Sequence, residues 1–389
     1  MNKKSISAFI AACSGMILFG IVIISLGSIL PYIIDKFQLS ESKAGILAST
    51  LPFGMLLGSL LFGPVIDRYG YKHILIVSSL LVALGIEGIV WSGSFLLVQA
   101  AFFILGFGGA VINGTTNALV SDISSESQAE KSANISLLGV FYGLGALGVP
   151  TILSILGTQY SIRQIFTIAG LFILFPVLYF IMITFPNSQK PVNMTVRAWL
   201  NLLRNPVLLG LGFILFLQSG LESIVSNWTT LFLQRSHDLS SEGALMMLTL
   251  FIVSFTISRL VLGWTLRTIS NKIIIFISMT LGILGFALLG FFSIPYIIIL
   301  AYILIGIGLA FGFPIVLGYT GMLFKEQSGT AFSIVLVVAL TGNMIVNYIM
   351  GWLTEIYGIK LYPGYLVLLA VAMGITIILV FNKIYKLKN

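Results

Sequence analysis

Long apolar stretches, separated by short polar segments, run through the whole chain. Each stretch has about 20 residues or more, which is the length that an α-helix needs to cross the hydrocarbon core of a bilayer. The pattern therefore predicts an all-α membrane protein with twelve spans. We place them at 7–34, 43–66, 73–94, 96–121, 132–156, 163–185, 206–233, 242–263, 273–292, 295–323, 329–352 and 363–384.

The composition favours a membrane protein over a soluble one. Of the 389 residues, 58% are hydrophobic and 8% are charged, whereas soluble domains carry about 25% charged residues. A soluble chain with so few charges would lack a polar surface. Twelve spans use about 240 residues, so no room is left for a large soluble domain.

The net charge of +8 does not indicate a nucleic-acid partner, because the basic residues stand one or two at a time between apolar runs. With the N-terminus in the cytoplasm, 15 of the 20 Lys and Arg residues lie at or near the cytoplasmic side. This bias predicts a multi-pass protein of the cytoplasmic membrane with both termini inside. The five basic residues on the outside are Lys36, Lys43, Arg163, Arg235 and Lys360.

Residues that could hold a metal or form a disulfide are scarce. Cys13 is the single cysteine, and the two histidines, His73 and His237, fall in loops between spans. We expect no metal site, no disulfide and no cofactor. The spans also lack a Ser/His/Asp set or a Cys pair, so we do not expect an enzyme.

The sequence repeats itself at an offset of 200 residues. The matched pairs include Gly20 with Gly220, Leu39 with Leu239, Lys72 with Lys272 and Gly106 with Gly306. Parallel six-span repeats characterise one large class of transporters. We therefore predict two six-helix bundles, 1–185 and 206–389, joined by a cytoplasmic linker at 186–205.

The loop after the second span, 63–72, reads GPVIDRYGYK. It resembles the G-x-x-x-D-R-x-G-R-K loop of the major facilitator superfamily, with Tyr71 where a basic residue is usual. The resemblance covers the whole chain and implies a monomeric transporter of two pseudo-symmetric bundles. In the family this loop latches the two halves, although its basic residues could instead serve topology alone. The expected latch residues are Gly63, Asp67, Arg68, Gly70 and Lys72.

Two spans resemble the branch of sugar porters that contains fucose permease. The fourth span is glycine-rich at 106–114 and continues to an Asn, and the seventh carries QSGLESIVSNW at 218–228. The resemblance implies a monosaccharide as substrate, proton symport, and a central cavity lined by spans one, four, seven and ten. The alternative is a proton-coupled drug or metabolite exporter of the same fold. The glycines at 139–148 resemble an incomplete antiporter hinge, and we interpret them as sites of close helix packing.

Polar residues inside the spans are candidates for substrate contact. Amides and a carboxylate suit neighbouring sugar hydroxyls, and we expect a neutral solute because no basic residue lies deep in a span. Arg259 and Arg267 are close enough to the inner rim to reach it. The predicted substrate-binding residues are Asn113, Asn117, Gln218, Glu222, Asn227, Trp228, Asn343 and Asn347. The alternative roles are hydrogen bonds between helices for the Asn pairs and an interfacial aromatic belt for Trp228.

Glu222 is the predicted proton carrier. It is the one acid near mid-depth on a span that lines the cavity in this family, and no basic residue of the spans is expected to neutralise it. A role in sugar binding alone is the alternative. The other intramembrane acid, Glu87 in the third span, is expected to be structural, either protonated or hydrogen-bonded to the second span.

Overall fold

The computed structural model describes residues 3–124, 128–186, 202, 204–265, 269–324 and 328–388, and this part of the chain is almost entirely helical. The helices are α1 (Lys3–Phe37), α2 (Glu41–Trp91), α3 (Phe95–Ile123), α4 (Gln128–Leu156), α5 (Ile162–Phe172), α6 (Leu174–Met182), α7 (Pro206–Ser236), α8 (Ser241–Thr265), α9 (Asn271–Phe291), α10 (Pro295–Leu309), α11 (Gly312–Leu323), α12 (Ser328–Tyr357) and α13 (Tyr362–Lys388). A short 3-10 helix, Ile359–Leu361, precedes α13.

Twelve segments of the described chain are long and apolar enough to cross a membrane, which confirms the predicted number. They are spans 1 to 12 in order: Lys4–Phe37, Glu41–Leu61, Tyr69–Trp91, Phe95–Ile123, Leu137–Leu156, Ile162–Met182, Pro206–Ser236, Ser241–Leu262, Asn271–Phe291, Pro295–Leu323, Ala331–Tyr357 and Ile359–Ile384. The protein is therefore a multi-pass, all-α membrane protein.

Two spans that the sequence predicts as continuous are broken in the structure. Span 6 consists of α5 and α6, and span 10 consists of α10 and α11. A proline cannot donate the backbone hydrogen bond to the carbonyl four residues earlier. Pro176 thus releases the carbonyl of Phe172, where α5 ends, and Pro314 releases that of Ala310, just after α10 ends.

Helix α2 contains both span 2 and span 3, and its helical backbone is interrupted at Gly70, the second residue of span 3, which has φ 72° and ψ 166°. This left-handed conformation favours glycine, because a Cβ would make it strained. Lys72 then donates hydrogen bonds to the carbonyls of Ile181 (2.5 Å) and Ile183 (3.3 Å), so it caps the end of α6. The side chains of Asp67 and Arg68 and the surroundings of Gly63 lie outside the described part of the chain, and the latch stays a prediction. Most of the predicted linker, 186–205, also lies outside it.

The chain divides into two compact units. The first comprises Met1–Leu39, Leu47–Pro191 and Ser241–Met246. The second comprises Ser40–Ile46, Val192–Ser240 and Met247–Asn389. The first residues of α2 therefore belong to the second unit, where Arg235 of α7 forms an ion pair with Glu41, and the amide N–H of Ser42 donates to Glu355 at 2.7 Å.

The 200-residue repeat is visible in the backbone. Gln38 and Asp238, 200 positions apart, each adopt a left-handed conformation within two residues of the end of a span, with φ 48° and 51°. Glycine packing repeats as well. A Cβ on Gly20 would lie 2.6 Å from the backbone nitrogen of Ala146, and a Cβ on Gly220 would lie 2.9 Å from a methyl group of Val346. Glycine thus brings spans 1 and 5 together in one unit and spans 7 and 11 together in the other.

Candidate functional site

A polar cluster in the second unit is built around Gln218 and Glu222, one helical turn apart on α7. Gln218 is fully buried. Its Nε2 donates to Oε1 of Glu222 at 2.7 Å and to the carbonyl of Leu309 at 2.6 Å. Leu309 is the last residue of α10, so the break in span 10 supplies a carbonyl that a continuous helix would have used internally. The cluster therefore joins span 7 to the interruption in span 10.

Arg259 of α8 completes the cluster, and this corrects the sequence interpretation. Its Nη2 lies 3.3 Å from Oε1 of Glu222, forming an ion pair in which the two side chains are 32% and 21% exposed. The predictions that no basic residue of the spans neutralises Glu222, and that Arg259 reaches only for the rim, are wrong. Arg259 lies near the end of span 8, but its long side chain spans more than one helical turn, and the sequence does not give its direction.

Two aromatic rings flank the guanidinium group of Arg259. Its central carbon lies 4.1 Å from the ring centroid of Phe255 and 5.9 Å from that of Phe313, which follows the break in span 10. Such cation–π contacts hold the guanidinium group in place. Sequence patterns did not identify Arg259, Phe255 or Phe313 as residues of the site. The signal that could have revealed Phe313 is the adjacent Pro314, because a proline inside a span marks a break at which binding sites often lie.

The cluster also contains buried polar atoms that have no hydrogen-bond partner in the described chain. They are Oε1 of Gln218 and Nε of Arg259. An unsatisfied buried polar atom costs about 1–3 kcal/mol, so a rearrangement that brings a partner to these atoms is favoured. Proteins tolerate such atoms mainly where they serve a function.

The predicted residues Asn227, Trp228 and Asn347 form a second, fully packed network in the same unit. Oδ1 of Asn347 accepts from Nε1 of Trp228 at 3.1 Å and from Nδ2 of Asn227 at 3.2 Å. Nδ2 of Asn347 donates to Oγ of Ser223 at 2.5 Å and to the carbonyl of Asn343 at 2.8 Å. Trp228 and Asn347 are 0% exposed. The network joins α7 to α12 and leaves only Asn343 partly exposed.

The first unit carries its own polar pair, Asn113 and Asn117 on α3. Nδ2 of Asn117 donates to the carbonyl and to Oδ1 of Asn113, at 2.8 and 2.9 Å. Both side chains are partly exposed. Within the described chain, Nδ2 of Asn113 and Oδ1 of Asn117 make no hydrogen bond. The pair therefore presents one donor and one acceptor to a ligand.

Glu87 has different partners from those that the sequence suggested. Its Oε2 accepts hydrogen bonds from Nε1 of Trp91 (3.0 Å) and Oγ1 of Thr167 (3.2 Å). Trp91 lies one turn along the same helix and Thr167 lies on α5. In the described part of the chain, the hydrogen bonds of Glu87 therefore connect span 3 to span 6. The sequence could not show which span faces Glu87.

Comparisons with known proteins agree with this architecture. The profile of the Major Facilitator Superfamily matches residues 7–295 and 244–386. The glucose/mannose transporter GlcP of Bacillus subtilis is 26% identical over 374 residues, covering 92% of this chain and 91% of that protein. The arabinose-proton symporter of Escherichia coli is 27% identical over 190 residues, covering 49% of this chain and 39% of the symporter.

Solved structures share the fold at lower identity. A mutant form of the nucleoside transporter NupG superposes with a TM-score of 0.81 at 16% identity, over 96% of this chain and all of that chain. A D-xylose-proton symporter superposes with a TM-score of 0.77 at 16% identity, over 95% of this chain and 97% of that chain. With the twelve spans and the matching profile, these comparisons show that the chain belongs to the major facilitator superfamily.

Proposed function

We propose that this protein is a secondary active transporter, and not an enzyme, that moves a monosaccharide across the cytoplasmic membrane by alternating access in symport with protons. It works as a monomer, with both termini in the cytoplasm. The observation that carries the proposal is the cluster of Gln218, Glu222 and Arg259 at the break in span 10, a charged and partly exposed group inside an apolar bundle. Charged groups inside spans are costly and mark transport pathways by default.

The charge of the cluster favours a neutral substrate. The single negative charge of Glu222 is balanced by the single positive charge of Arg259. An anion or a cation would have to displace one member of this pair to be bound, which leaves the other member unpaired. A polyol can instead bind the pair through hydroxyl groups, which both donate and accept hydrogen bonds.

Three features support a sugar among neutral substrates. The carboxylate of Glu222 accepts and the guanidinium group of Arg259 donates, which suits adjacent hydroxyls. Phe313 offers a partly exposed aromatic face for the apolar side of a sugar ring. Within the first unit, taken by itself, Asn113 and Asn117 present an amide donor and acceptor that also suit hydroxyl groups. The relatives named for glucose, mannose and arabinose transport agree with this choice.

Proton coupling follows from the same ion pair. A proton on Glu222 removes the charge that holds Arg259, so the guanidinium group is released from its partner. Loss of the proton restores the pair. The protonation state of Glu222 thereby sets the position of Arg259 and the hydrogen bonds available to the sugar. Proton binding and sugar binding are thus coupled through one carboxyl group.

The proposal is tested in proteoliposomes with a panel of labelled glucose, mannose, xylose and arabinose, and uridine as a nucleoside. We expect uptake of at least one sugar above its external concentration, driven by an inwardly directed proton gradient. In Glu222→Gln, gradient-driven accumulation disappears while exchange of sugar across the membrane continues. Glu242→Gln, which neutralises a carboxylate at the start of α8, outside the cluster, keeps both activities.

Each outcome separates one part of the proposal. Accumulation that persists in Glu222→Gln shows that another group carries the proton. Sugar uptake that never depends on the proton gradient overturns symport and leaves a facilitator. Transport of uridine without transport of any sugar overturns the substrate class.

A further inference from the structure

Three side chains converge at one end of the first unit, away from the polar pair on α3. Lys36 lies in the last turn of α1, Trp91 is the final residue of α2, and Arg163 is the second residue of α5. These positions mark the end of span 1, the end of span 3 and the start of span 6. Since all three lie where an apolar span meets its terminus, the group sits at one surface of the membrane.

The indole ring of Trp91 is a fixed platform for Arg163. Nε1 of Trp91 donates to Oε2 of Glu87 at 3.0 Å and approaches Oγ1 of Thr167 at 3.3 Å, so the ring cannot rotate freely. The central carbon of the Arg163 guanidinium group lies 3.4 Å from the ring centroid. Stacking occupies the flat face of the guanidinium group and leaves the N–H donors at its edge available.

Lys36 places a second positive charge beside Arg163. Its Nζ donates to the carbonyls of Val90 (3.3 Å) and Ser92 (3.2 Å), at the end of the helix that carries Trp91. An ammonium group has three donors, so one is left beyond the two carbonyls. Nζ also lies 5.0 Å from the ring centroid of Phe37 and 5.8 Å from that of Tyr32, which help to hold it in place. Lys36 and Arg163 repel each other electrostatically, and in the described chain no carboxylate forms an ion pair with either. Two like charges held together without a counter-ion indicate an anion site.

We propose that Lys36, Trp91 and Arg163 form a binding site for the phosphate group of an anionic phospholipid. The edge of the guanidinium group binds two phosphate oxygens, and the ammonium group of Lys36 neutralises the remaining charge. Trp91 is 58% exposed, as aromatic residues at the level of lipid headgroups are. Ile168 and Phe172, farther along α5, are 62% and 66% exposed and provide an apolar surface for the acyl chains.

The location favours a lipid over a soluble phosphate. Lys36 and Arg163 belong to the five basic residues that the charge bias places on the outside. Of the other three, Arg235 is paired with Glu41, and Lys43 and Lys360 belong to the other unit. The site thus brings Lys36 and Arg163, two of the five basic residues expected on the outside, to one end of the lipid-exposed helix α5. A lipid bound there relieves the repulsion between Lys36 and Arg163 and holds spans 1, 3 and 6 together.

The test measures lipid binding to the purified full-length protein. Native mass spectrometry counts bound phosphatidylglycerol and phosphatidylcholine, and thermal unfolding in detergent measures stabilisation by each lipid. We expect retention of phosphatidylglycerol over phosphatidylcholine and a rise in Tm with phosphatidylglycerol alone. Arg163→Gln and Lys36→Gln each weaken phosphatidylglycerol binding at least threefold. Arg163→Lys, which keeps the charge but lacks the planar edge, has an intermediate effect.

Lys360→Gln is the matched control, because it removes an exposed charge at a span terminus of the other unit. The proposal is overturned if Arg163→Gln and Lys36→Gln retain phosphatidylglycerol as the wild type does, or if Lys360→Gln weakens retention equally. Stabilisation by inorganic phosphate or glycerol 3-phosphate to the same extent, abolished in Arg163→Gln, would assign the site to a soluble phosphate and overturn the lipid assignment. The readout is independent of transport and of the proposed substrate.

Discussion

Oε1 of Glu222 accepts hydrogen bonds from both Nε2 of Gln218 and Nη2 of Arg259, at 2.7 and 3.3 Å. One carboxylate oxygen therefore connects the amide that reaches span 10 with the guanidinium group of span 8. A change in the charge of Glu222 therefore alters its interactions with both Gln218 and Arg259, so this oxygen is the centre of the cluster.

The ion pair predicts non-additive effects of neutralisation. Glu222→Gln leaves Arg259 without a counter-ion, and Arg259→Gln leaves Glu222 without one, so each single variant is destabilised. The double variant removes both charges. We expect it to be more stable than the sum of the single effects allows, with a coupling energy of about 0.5–3 kcal/mol, measured by thermal unfolding in detergent. Strictly additive losses would show that the two charges do not interact in the folded protein.

Substitution of Gly312, the first residue of α11, is expected to lower substrate affinity. A Cβ at this position would lie 2.5 Å from Cγ of Gln218. Gln218 is fully buried, so Gly312→Ala forces its amide away from Glu222 and from the carbonyl of Leu309. We expect sugar affinity to fall about tenfold, equivalent to about 1.4 kcal/mol, in equilibrium binding to purified protein.

Gly318 provides the matched control on the same helix. A Cβ there would meet nothing within 4 Å, and Gly→Ala inside a helix is neutral or stabilising when space allows. Gly318→Ala should bind sugar as the wild type does. Equal affinities in both variants would mean that the position of Gln218 does not matter for binding.

Apolar run length was sufficient to predict the membrane fold, because each span must satisfy its backbone hydrogen bonds internally and present apolar side chains to lipid. The paired backbone turns at Gln38 and Asp238 agree with the 200-residue offset of the sequence repeat, although the sequence did not predict the turns themselves. The spacing of Gln218 and Glu222 gave their shared face correctly, since helical periodicity is fixed by geometry.

Partners on other helices could not be predicted in the same way. A span carries no information about which neighbour it faces, so the contacts of Glu222 with Arg259, and of Glu87 with Thr167, appear only in three dimensions. The break in span 10 was not predicted from hydropathy, because hydropathy depends on side chains and does not report a backbone carbonyl that has lost its hydrogen bond. Pro314 indicates the position of the break, because a proline inside a helix removes the hydrogen bond to the carbonyl four residues earlier.

The orientation of the chain is tested by cysteine labelling of intact cells in a Cys13→Ser background. Gln38→Cys and Asp238→Cys should react with a membrane-impermeant maleimide from outside, because the charge bias places both turns there. Asn193→Cys, within the predicted linker, should react only after the cells are opened. Labelling of position 193 in intact cells would reverse the predicted topology.

Asn347→Ala is expected to lower the stability of the protein rather than its affinity for substrate. The substitution removes the acceptor for Nε1 of Trp228 and for Nδ2 of Asn227, both buried. An unsatisfied buried donor costs about 1–3 kcal/mol, so the thermal stability should fall clearly. Asn343→Ala should cost less. It removes the longer hydrogen bond from Nδ2 of Asn347 to Oδ1 of Asn343 (3.3 Å), but Asn343 is partly exposed and its backbone carbonyl keeps the 2.8 Å contact.

Trp228→Phe separates the roles of the network. It removes one of the donors but keeps most of the ring that fills the core. Added to Asn347→Ala, it should cost less than it does in the wild type, because the orphaned donor is then absent. A large loss of sugar affinity in Asn347→Ala, at unchanged stability, would instead assign this network to the substrate.

The hydroxyl of Tyr71 donates to Oδ2 of Asp122 at the end of span 4, and Tyr71 occupies the position where related loops carry a basic residue. Tyr71→Phe removes this hydrogen bond from a buried ring and should lower stability by about 1.5–3 kcal/mol, the range for a hydrogen bond to a charged group. Tyr71→Arg should retain stability and transport, because a guanidinium group can form an ion pair with Asp122. Tyr296→Phe serves as the control, since Tyr296 is 82% exposed and should tolerate the change. Thermal unfolding and sugar uptake of the three variants test whether another donor to Asp122 can replace the phenol. If Tyr71→Arg loses as much stability as Tyr71→Phe, the site requires the phenol itself.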